Sequence, residues 1–408
     1  MLTKEQKEQF SEILETLGET LDITKTQYEA AVSSYGAVGD WLAKPESSLA
    51  PYTPIIRPQG SFMLGTMIKP ICDEDDLDID LVCELTGKNL SWTQYHLKQA
   101  VGDRLKANET YKKMLDAEGR RCWTLLYSDQ ANYHMDILPS LVSKDYSILL
   151  DRAFSSTDLY DKYESLAIRI TDKKKDNYYS DTNSENWIKS NPFGYARWFF
   201  NAANIGSQHK DIRLSDAVNP VPKYSKQKLP LQRVVQIFKR HRDIMFKGNE
   251  DKPISIIITT LAAMAYNKEE SIIDALINVS AKMRNHIEKR IDPNTGKPIK
   301  WIPNPVNPEE NFADKWVEQP NREKNFYKWL DQLEKDIQTI IQKRGLDHIA
   351  EAMKKSFGEP TVTKTFSMLG EKNLNLRESG TLKMTTGTGI LGLEGSVTTK
   401  KHNFHGND

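Results

Sequence analysis

The sequence predicts an α+β protein of two lobes, in which a mixed α/β core is followed by a helical lobe. Two patterns along the 408 residues carry this prediction. Segments between residues 77 and 138 alternate apolar and polar side chains with the two-residue period of strands, whereas from Pro230 onward apolar residues recur at helical spacing. Hydrophobic residues make up 38% of the chain, a composition that suits folded domains rather than disorder.

Residues 1–50 predict two helices. Thr3 and Gln6 have the spacing of a capping box, and an amphipathic helix follows them through Leu21. A second helix is expected from about Lys25 to Leu42, before several prolines force extended backbone.

The α/β core is expected over residues 51–228. Its predicted strands are Leu77–Leu85, Cys122–Tyr127 and Tyr133–Leu138. A helix is predicted from about Trp92 to Leu115, between the first two strands.

The helical lobe is expected over residues 229–378. Its predicted helices are Leu231–Phe246, Ile254–Tyr266, Glu269–His286 and Glu323–Lys343. Ile254–Tyr266 is apolar nearly all round, which predicts a buried helix. We interpret the Pro/Asn-rich segment Ile302–Phe312 as punctuation between helices.

Residues 379–408 form a Gly- and Thr-rich tail with two possible structures. Its composition favours a loose segment that leaves the active site to the rest of the chain. The alternative is a strap packed on the helical lobe through a few apolar side chains, which are Ile390, Leu391, Leu393 and Phe404.

Charge and composition exclude several classes of function. Lys plus Arg and Asp plus Glu both number 56, so no net charge draws the whole chain onto nucleic acid. We interpret the basic run Lys173–Lys175 as a solvated loop, and His402 with His405 is too small a cluster for a zinc site. The three cysteines suit reduced thiols, and neither a membrane span nor a signal peptide is visible, which predicts a cytoplasmic protein.

Two short motifs suggest one site. Gly60-Ser61 follows an extended segment, and glycine lets backbone N–H groups approach a phosphate closely. Asp78 and Asp80 stand two apart on a predicted strand, so both carboxylates leave the same face. Taken alone, the first motif is typical of a turn and the second of the solvated face of a sheet.

A third carboxylate strengthens the case for a metal site. Asp136 lies on a predicted neighbouring strand, and three convergent carboxylates can hold two Mg²⁺ or Mn²⁺ ions roughly 3.5–4 Å apart for nucleotidyl transfer. Asp76 shares the strand face of Asp78 and Asp80, so the register could slip by two residues. His134 could orient a metal ligand or simply pack beside Asp136.

These motifs, in this order and spacing, resemble the polymerase-β-type nucleotidyltransferase superfamily, and more closely the cGAS/DncV-like nucleotidyltransferases (CD-NTases), the cyclic-oligonucleotide synthases of CBASS anti-phage defence. The resemblance covers most of the chain. Besides the Gly60-Ser61 turn and the three aspartates, it extends over Ser190–Phe199, Leu231–Asp243 and Pro253–Leu261.

The resemblance implies a two-lobed polymerase-β-like fold, with the helices of residues 1–50 bracing the lobes. It implies that Asp78 and Asp80 hold both metal ions and that Asp136 binds the ion that activates the acceptor hydroxyl. Contacts to nucleotide are implied for a further set of residues, which are Gln59, Gly60, Ser61, Lys239 and Ser255.

The resemblance also implies partners. The substrates would be ATP and GTP or another nucleoside triphosphate, and the product a cyclic di- or trinucleotide that acts on an effector protein. Accessory proteins would bind the C-terminal tail or conjugate it to a target. Because the zinc insertion and the broad basic surfaces of the animal DNA sensor are absent from the sequence, we expect no activation by duplex DNA.

Two other functions remain open at this point. A linear oligonucleotide synthase or a small-molecule nucleotidyltransferase would use the same carboxylates. An inactive nucleotide-binding scaffold is the alternative from another class, and the complete set of three acids counts against it. Base choice, linkage and ring size are not readable from the sequence.

Overall fold

A computed structural model describes residues 2–71, 77–127, 133–155, 163–203, 218–219, 221–292 and 295–399. The helices in these ranges are α1 (Lys4–Leu21), α2 (Lys25–Ala43), α3 (Gly60–Leu64), α4 (Gln94–Lys106), α5 (Glu109–Met114), α6 (Tyr146–Ser155), α7 (Pro192–Ala202), α8 (Pro230–Phe246), α9 (Ser255–Ala265), α10 (Ile272–Lys282), α11 (Lys315–Glu318), α12 (Pro320–Ile341), α13 (Leu346–Phe357) and α14 (Glu359–Glu378). Within the same ranges, no helix has the length and apolar character that crossing a membrane requires.

The strands are short except for two of ten residues, β2 and β4. They are β1 (Ile55–Gln59), β2 (Leu77–Thr86), β3 (Trp123–Tyr127), β4 (Tyr133–Val142), β5 (Ile168–Ile170), β6 (Ile188–Ser190), β7 (Glu288–Ile291), β8 (Pro298–Trp301), β9 (Pro303–Asn304), β10 (Asn307–Asn311), β11 (Lys383–Met384), β12 (Leu391–Gly392) and β13 (Val397–Thr398).

The chain divides into two compact units. The α/β unit comprises Ile23–Lys228 and Pro303–Asn311, and the helical unit comprises Met1–Asp22, Leu229–Ile302 and Phe312–Asp408. Helix α1 therefore groups with the helical unit and α2 with the α/β unit. The finer division into residues 1–50, 51–228, 229–378 and 379–408 stays a prediction.

A mixed sheet organises the α/β unit, as the sequence predicts. Strands β1, β2, β4, β5 and β6 lie side by side in that order, and β3 pairs with β4. The β2–β4 pair is parallel, whereas the β1–β2 and β3–β4 pairs are antiparallel. Two long parallel strands thus form the centre of the sheet.

One face of this sheet is the main core of the unit. Every second residue of β2 points into it, and helices α2 and α4 cover it with their apolar stripes. The residues that meet there are Tyr35, Val38, Leu42, Ile79, Leu81, Leu97, Val101, Met135 and Ile137. Full burial of each such side chain contributes about 1.5–3 kcal/mol. Because this face supplies the hydrophobic stabilisation, the opposite face of β2 can carry polar residues.

The predicted helix from Trp92 to Leu115 is wrong as a single element. It divides into α4 and α5 because the Asn108 side chain accepts hydrogen bonds from the main-chain N–H groups of Thr110 and Tyr111 and so starts a new helix.

Helix α1 is anchored within the helical unit by charge as well as by apolar packing. The capping box at Thr3 is present, as predicted. Arg233 of α8 is buried and pairs with Glu15 at 2.8 Å and with Asp22 at 2.9 Å. Its guanidinium crosses α1 where Gly18 leaves space, because a β-carbon there would lie 2.5 Å from the arginine side chain.

Other parts of the helical unit correct the sequence interpretation. Helix α9 is buried, as expected for Ile254–Tyr266, whereas α13 and α14 had no counterpart among the predicted helices. Between Ile302 and Phe312 the chain forms the β9–β10 ladder and joins the α/β unit, so this segment is more than a connection between helices.

The described part of the tail is a strap rather than a loose segment. Strand β11 pairs with both β12 and β13, and Leu382 beside it is 3% exposed. Ile390 and Leu391 line a cavity with α1 and α14, whereas Leu393 is exposed. Phe404, His402 and His405 lie outside the described residues.

Candidate active site

The register of β2 and β4 places the predicted acids side by side. Asp80 is the direct partner of Asp136, and Asp78 is the partner of His134. Neighbouring strands lie about 4.8 Å apart and paired residues share a face, so these side chains leave the sheet together. Asp78 is exposed and Asp80 half-buried, whereas Ile79 between them is buried. Asp76, the alternative in a slipped register, lies outside the described residues.

Asp136 is held by a neighbour that sequence reasoning missed. Thr124 stands opposite it on β3, and the threonine hydroxyl donates a hydrogen bond of 2.6 Å to Asp136 Oδ1. The bond orients one carboxylate oxygen and leaves the other available.

Nearby, burial and the negative charges of Asp136 and Asp80 raise the pKa of Cys122 to about 12, so its thiol stays protonated.

The Gly60-Ser61 turn meets the acid-bearing strand directly. Gln59 ends β1 opposite Asp80, and Gly60 then adopts a φ of +60° as the chain turns into α3. A β-carbon on Gly60 would lie 2.3 Å from Asp80 Oδ2, so only glycine lets the turn approach the carboxylate this closely. Ser61 follows within the first turn of α3 and is half-buried.

The donor chemistry of this face fits a divalent metal ion. Carboxylate oxygens are the ligands that Mg²⁺ and Mn²⁺ prefer, and Asp78, Asp80 and Asp136 share one face of two adjacent strands. Among the residues that the structure describes, no three His, Cys, Asp or Glu side chains already converge as a ligand set. The three aspartates therefore fit a divalent metal ion in the type of their donor atoms and in their placement on adjacent strands.

The other two predicted nucleotide-binding residues lie in the helical unit. Lys239 on α8 is 5% exposed, which argues against a merely solvated lysine. Ser255 is the first residue of α9, and its hydroxyl accepts a hydrogen bond of 2.9 Å from Arg242. Arg242 also donates to the Pro253 carbonyl at 3.1 Å. This arginine was missed, although its charge on the same helix as Lys239 was a visible signal.

A second omission is a buried ion pair in the sheet. Arg57 on β1 donates from Nε to Glu84 Oε2 on β2 at 2.7 Å, and neither side chain is exposed. Burial raises the pKa of Glu84 to about 7, an effect that Arg57 opposes. The pair lies on the same strand face as Asp80, deeper in the sheet.

Comparison with known proteins identifies the family. The model of a family described as cyclic GMP-AMP synthase DncV-like, nucleotidyltransferase domain, matches residues 54–139, which include the turn and all three acids. A c-di-GMP synthase of Roseivirga ehrenbergii is 31% identical over 409 residues, covering the whole of both chains. The cyclic dinucleotide synthase CdnG of Bradyrhizobium diazoefficiens is 22% identical over 386 residues, which are 88% of this chain and 83% of the relative.

Solved structures agree on the fold. CdnG of Bradyrhizobium diazoefficiens, in complex with GTP, superposes with a TM-score of 0.62 at 19% identity and covers 89% of this chain and 99% of that chain. CdnC of E. coli MS115-1, in complex with HORMA, has a TM-score of 0.53 at 14% identity over 83% of this chain and 93% of that one.

The fold and the full-length relative define the class: the chain belongs to the DncV-like nucleotidyltransferases, the CD-NTases. It is an enzyme of the kind that joins nucleotides into cyclic oligonucleotides.

Proposed function

We propose that this enzyme condenses two molecules of GTP into cyclic di-GMP and releases two molecules of pyrophosphate. The observation that carries the proposal is the pairing of Asp80 with Asp136 beside the Gly60 turn, in a chain whose whole length matches a c-di-GMP synthase. The first condensation gives a linear dinucleotide, and the second closes the ring. ATP, alone or together with GTP, is the alternative substrate that the family resemblance leaves open.

The three aspartates would divide the work between them. Asp78 and Asp80 would hold two Mg²⁺ or Mn²⁺ ions, and Asp136 would complete the ligand set at one of them. Such ions, when bound, stabilise the developing charge on the attacking and leaving oxygens.

The chain's own residues place the reacting groups. Asp136, oriented by Thr124, would accept the proton of the attacking ribose hydroxyl as the new bond to the α-phosphorus forms and the bond to pyrophosphate breaks. The main-chain N–H groups at Gln59, Gly60 and Ser61 would bind the phosphates beside Asp80.

Lys239 and Ser255 would bind the triphosphate of the donor nucleotide. Lys239 is 5% exposed, and a charge-assisted contact to phosphate is about twice as strong as a neutral one. Ser255 would contribute its hydroxyl, which Arg242 orients at 2.9 Å, and the N–H groups of the first turn of α9.

The product separates this function from its alternatives. Pure protein is incubated with each nucleoside triphosphate singly and with all four together, with Mg²⁺ or Mn²⁺, and the products are analysed by mass spectrometry before and after phosphatase and nuclease treatment. GTP alone should give a phosphatase-resistant cyclic dinucleotide. A linear product only, or no product with any mixture, would contradict the proposal and favour the linear synthase or the scaffold.

We further propose an anti-phage role in the cytoplasm, in which the cyclic product activates an effector protein and accessory proteins act on the C-terminal tail. The CdnC–HORMA complex supports the idea of a protein partner, because that neighbour shares the fold. Cells that express the enzyme with its genomic neighbours should resist phage infection, and an Asp80→Asn variant should abolish that resistance. Equal resistance with the variant would contradict this role.

A further inference from the structure

The buried pair of Arg57 and Glu84 lies on the strand face that carries the acids. Arg57 is two residues before Gln59 on β1, and Glu84 is four residues after Asp80 on β2, so all four side chains leave the same side. At about 3.3 Å per residue, Glu84 is roughly 13 Å along the strand from Asp80. The pair therefore acts on the reacting groups only through the strands.

Arg57 contacts two helices and Asn219 in addition to strand β2. It donates from one terminal nitrogen to Asn219 Oδ1 and from the other to Ser147 Oγ of α6 at 3.1 Å. Its guanidinium carbon lies 6.0 Å from the ring centroid of Phe193 on α7. Asn219 also donates its main-chain N–H to the Ile56 carbonyl of β1 at 2.8 Å. The Arg57 side chain thus connects β1 to β2, α6, α7 and Asn219.

Stability alone gives a poor account of this arrangement. Removing two charges from water carries a large desolvation penalty, and well-packed apolar residues of similar volume often fill such a place equally well. Here the penalty is visible, since burial raises the pKa of Glu84 to about 7 even beside Arg57. Glu84 Oε1 also has no hydrogen-bond partner among the described residues. A charged pair does offer fixed geometry, because the planar guanidinium holds its partners in defined directions.

We propose that Arg57 and Glu84 are a positioning pair for catalysis, which fixes β1 and the Gly60-Ser61 turn relative to the carboxylates of β2. The proposal rests on the proposed function of this site. A β-carbon on Gly60 would lie 2.3 Å from Asp80 Oδ2, so a small slide of β1 against β2 changes the place where phosphate and carboxylate meet. A misplacement of about 1 Å at a reacting centre can cost on the order of 100-fold in rate.

The test replaces the charges without leaving one of them unpaired. The double variant Arg57→Met/Glu84→Met approximately keeps the volume of the two side chains. The matched control is Lys98→Met/Glu118→Met, because Lys98 is also buried and pairs with Glu118 at 3.3 Å in the same unit. We expect the first variant to fold cooperatively and to lose about tenfold or more in kcat with a change in KM for GTP of less than about threefold. The control should keep kcat within about twofold of wild type.

A second measurement does not depend on activity. Hydrogen–deuterium exchange of the main-chain amides of residues 55–65 should be faster in the Arg57→Met/Glu84→Met variant than in wild type and in the control. Wild-type kcat together with unchanged exchange would overturn the positioning role. If wild type makes no cyclic dinucleotide, the proposed function fails, and the exchange measurement alone then decides the role of the pair.

If the double variant does not fold, Glu84→Gln replaces it. The amide oxygen can still accept from Arg57 Nε, so this variant should fold, lose kcat to a smaller extent and show an intermediate rate of exchange in residues 55–65. Full activity with wild-type exchange in Glu84→Gln would overturn the proposal, because the geometry would then not require the charge.

Discussion

Gly60→Ala tests whether the turn must approach the acid-bearing strand as closely as the structure shows. The new β-carbon would lie 2.3 Å from Asp80 Oδ2, whereas ordinary contact begins at 3.4 Å. The difference, 3.4 − 2.3 = 1.1 Å, is the distance by which the carboxylate oxygen or the turn must move. The residue also has a φ of +60°, which costs an alanine about 1–2 kcal/mol.

These two effects can be measured separately. Gly87 has a φ of +81° with no atom within 4 Å of its would-be β-carbon, so Gly87→Ala includes the backbone strain without the collision. We expect both variants to lower the melting temperature by a few degrees, roughly 1–4 °C. Only Gly60→Ala should lose on the order of 100-fold in kcat for cyclic dinucleotide synthesis, because a displacement of about 1 Å at the reacting centre has that effect.

The assay is steady-state product formation from GTP and Mg²⁺ for wild type and both variants, with thermal unfolding measured in parallel. Equal kcat values for Gly60→Ala and Gly87→Ala would refute the reasoning. The turn would then tolerate the added methyl group, and its contact with Asp80 would have no part in catalysis.

Three further predictions concern other parts of the chain. Thr124→Val removes the 2.6 Å hydrogen bond to Asp136 at nearly constant volume and should lower kcat about tenfold, whereas Thr124→Ser should keep most of the wild-type kcat. Unchanged kcat in Thr124→Val would contradict a role of this hydrogen bond in catalysis. Lys239→Ala should raise KM for nucleotide more than Ser255→Ala does, since a charged contact to phosphate is about twice as strong as a neutral one, and unchanged nucleotide binding by calorimetry would remove Lys239 from the site. Deletion of residues 379–408 should leave synthesis in place but lower the melting temperature by a few degrees, because the strap pairs and packs within the helical unit. An unaltered melting curve would show that the strap contributes nothing to stability.

The elements that the sequence predicts well are those determined by local patterns. The strand around Asp78 and Asp80 shows its two-residue alternation within ten residues, and the capping box at Thr3 is complete within four. Asn108 was a local signal as well, since an asparagine before a glutamate is a good helix start, yet the longer helical pattern concealed it.

The features that escaped prediction depend on partners distant in the sequence. The Arg57–Glu84 pair exists only because β1 and β2 pair in one register, and Thr124 meets Asp136 only because β3 and β4 do. A single strand pattern gives the face of each residue but not its neighbour across the ladder. The strand patterns pointed to the three acids and the family resemblance implied their roles, whereas the residues that orient and support them required the structure.

The most direct test of the central claim is the turnover of aspartate-to-asparagine variants in one assay. Asp80→Asn and Asp136→Asn each remove one negative charge at nearly constant volume from the paired strands, and Asp103→Asn removes the same charge from an exposed position on α4 of the same unit. With GTP and Mg²⁺, we predict that the first two variants melt like wild type and make no detectable cyclic dinucleotide, while Asp103→Asn retains wild-type turnover. Near-wild-type turnover in Asp80→Asn or Asp136→Asn would contradict the assignment of this strand pair as the catalytic centre.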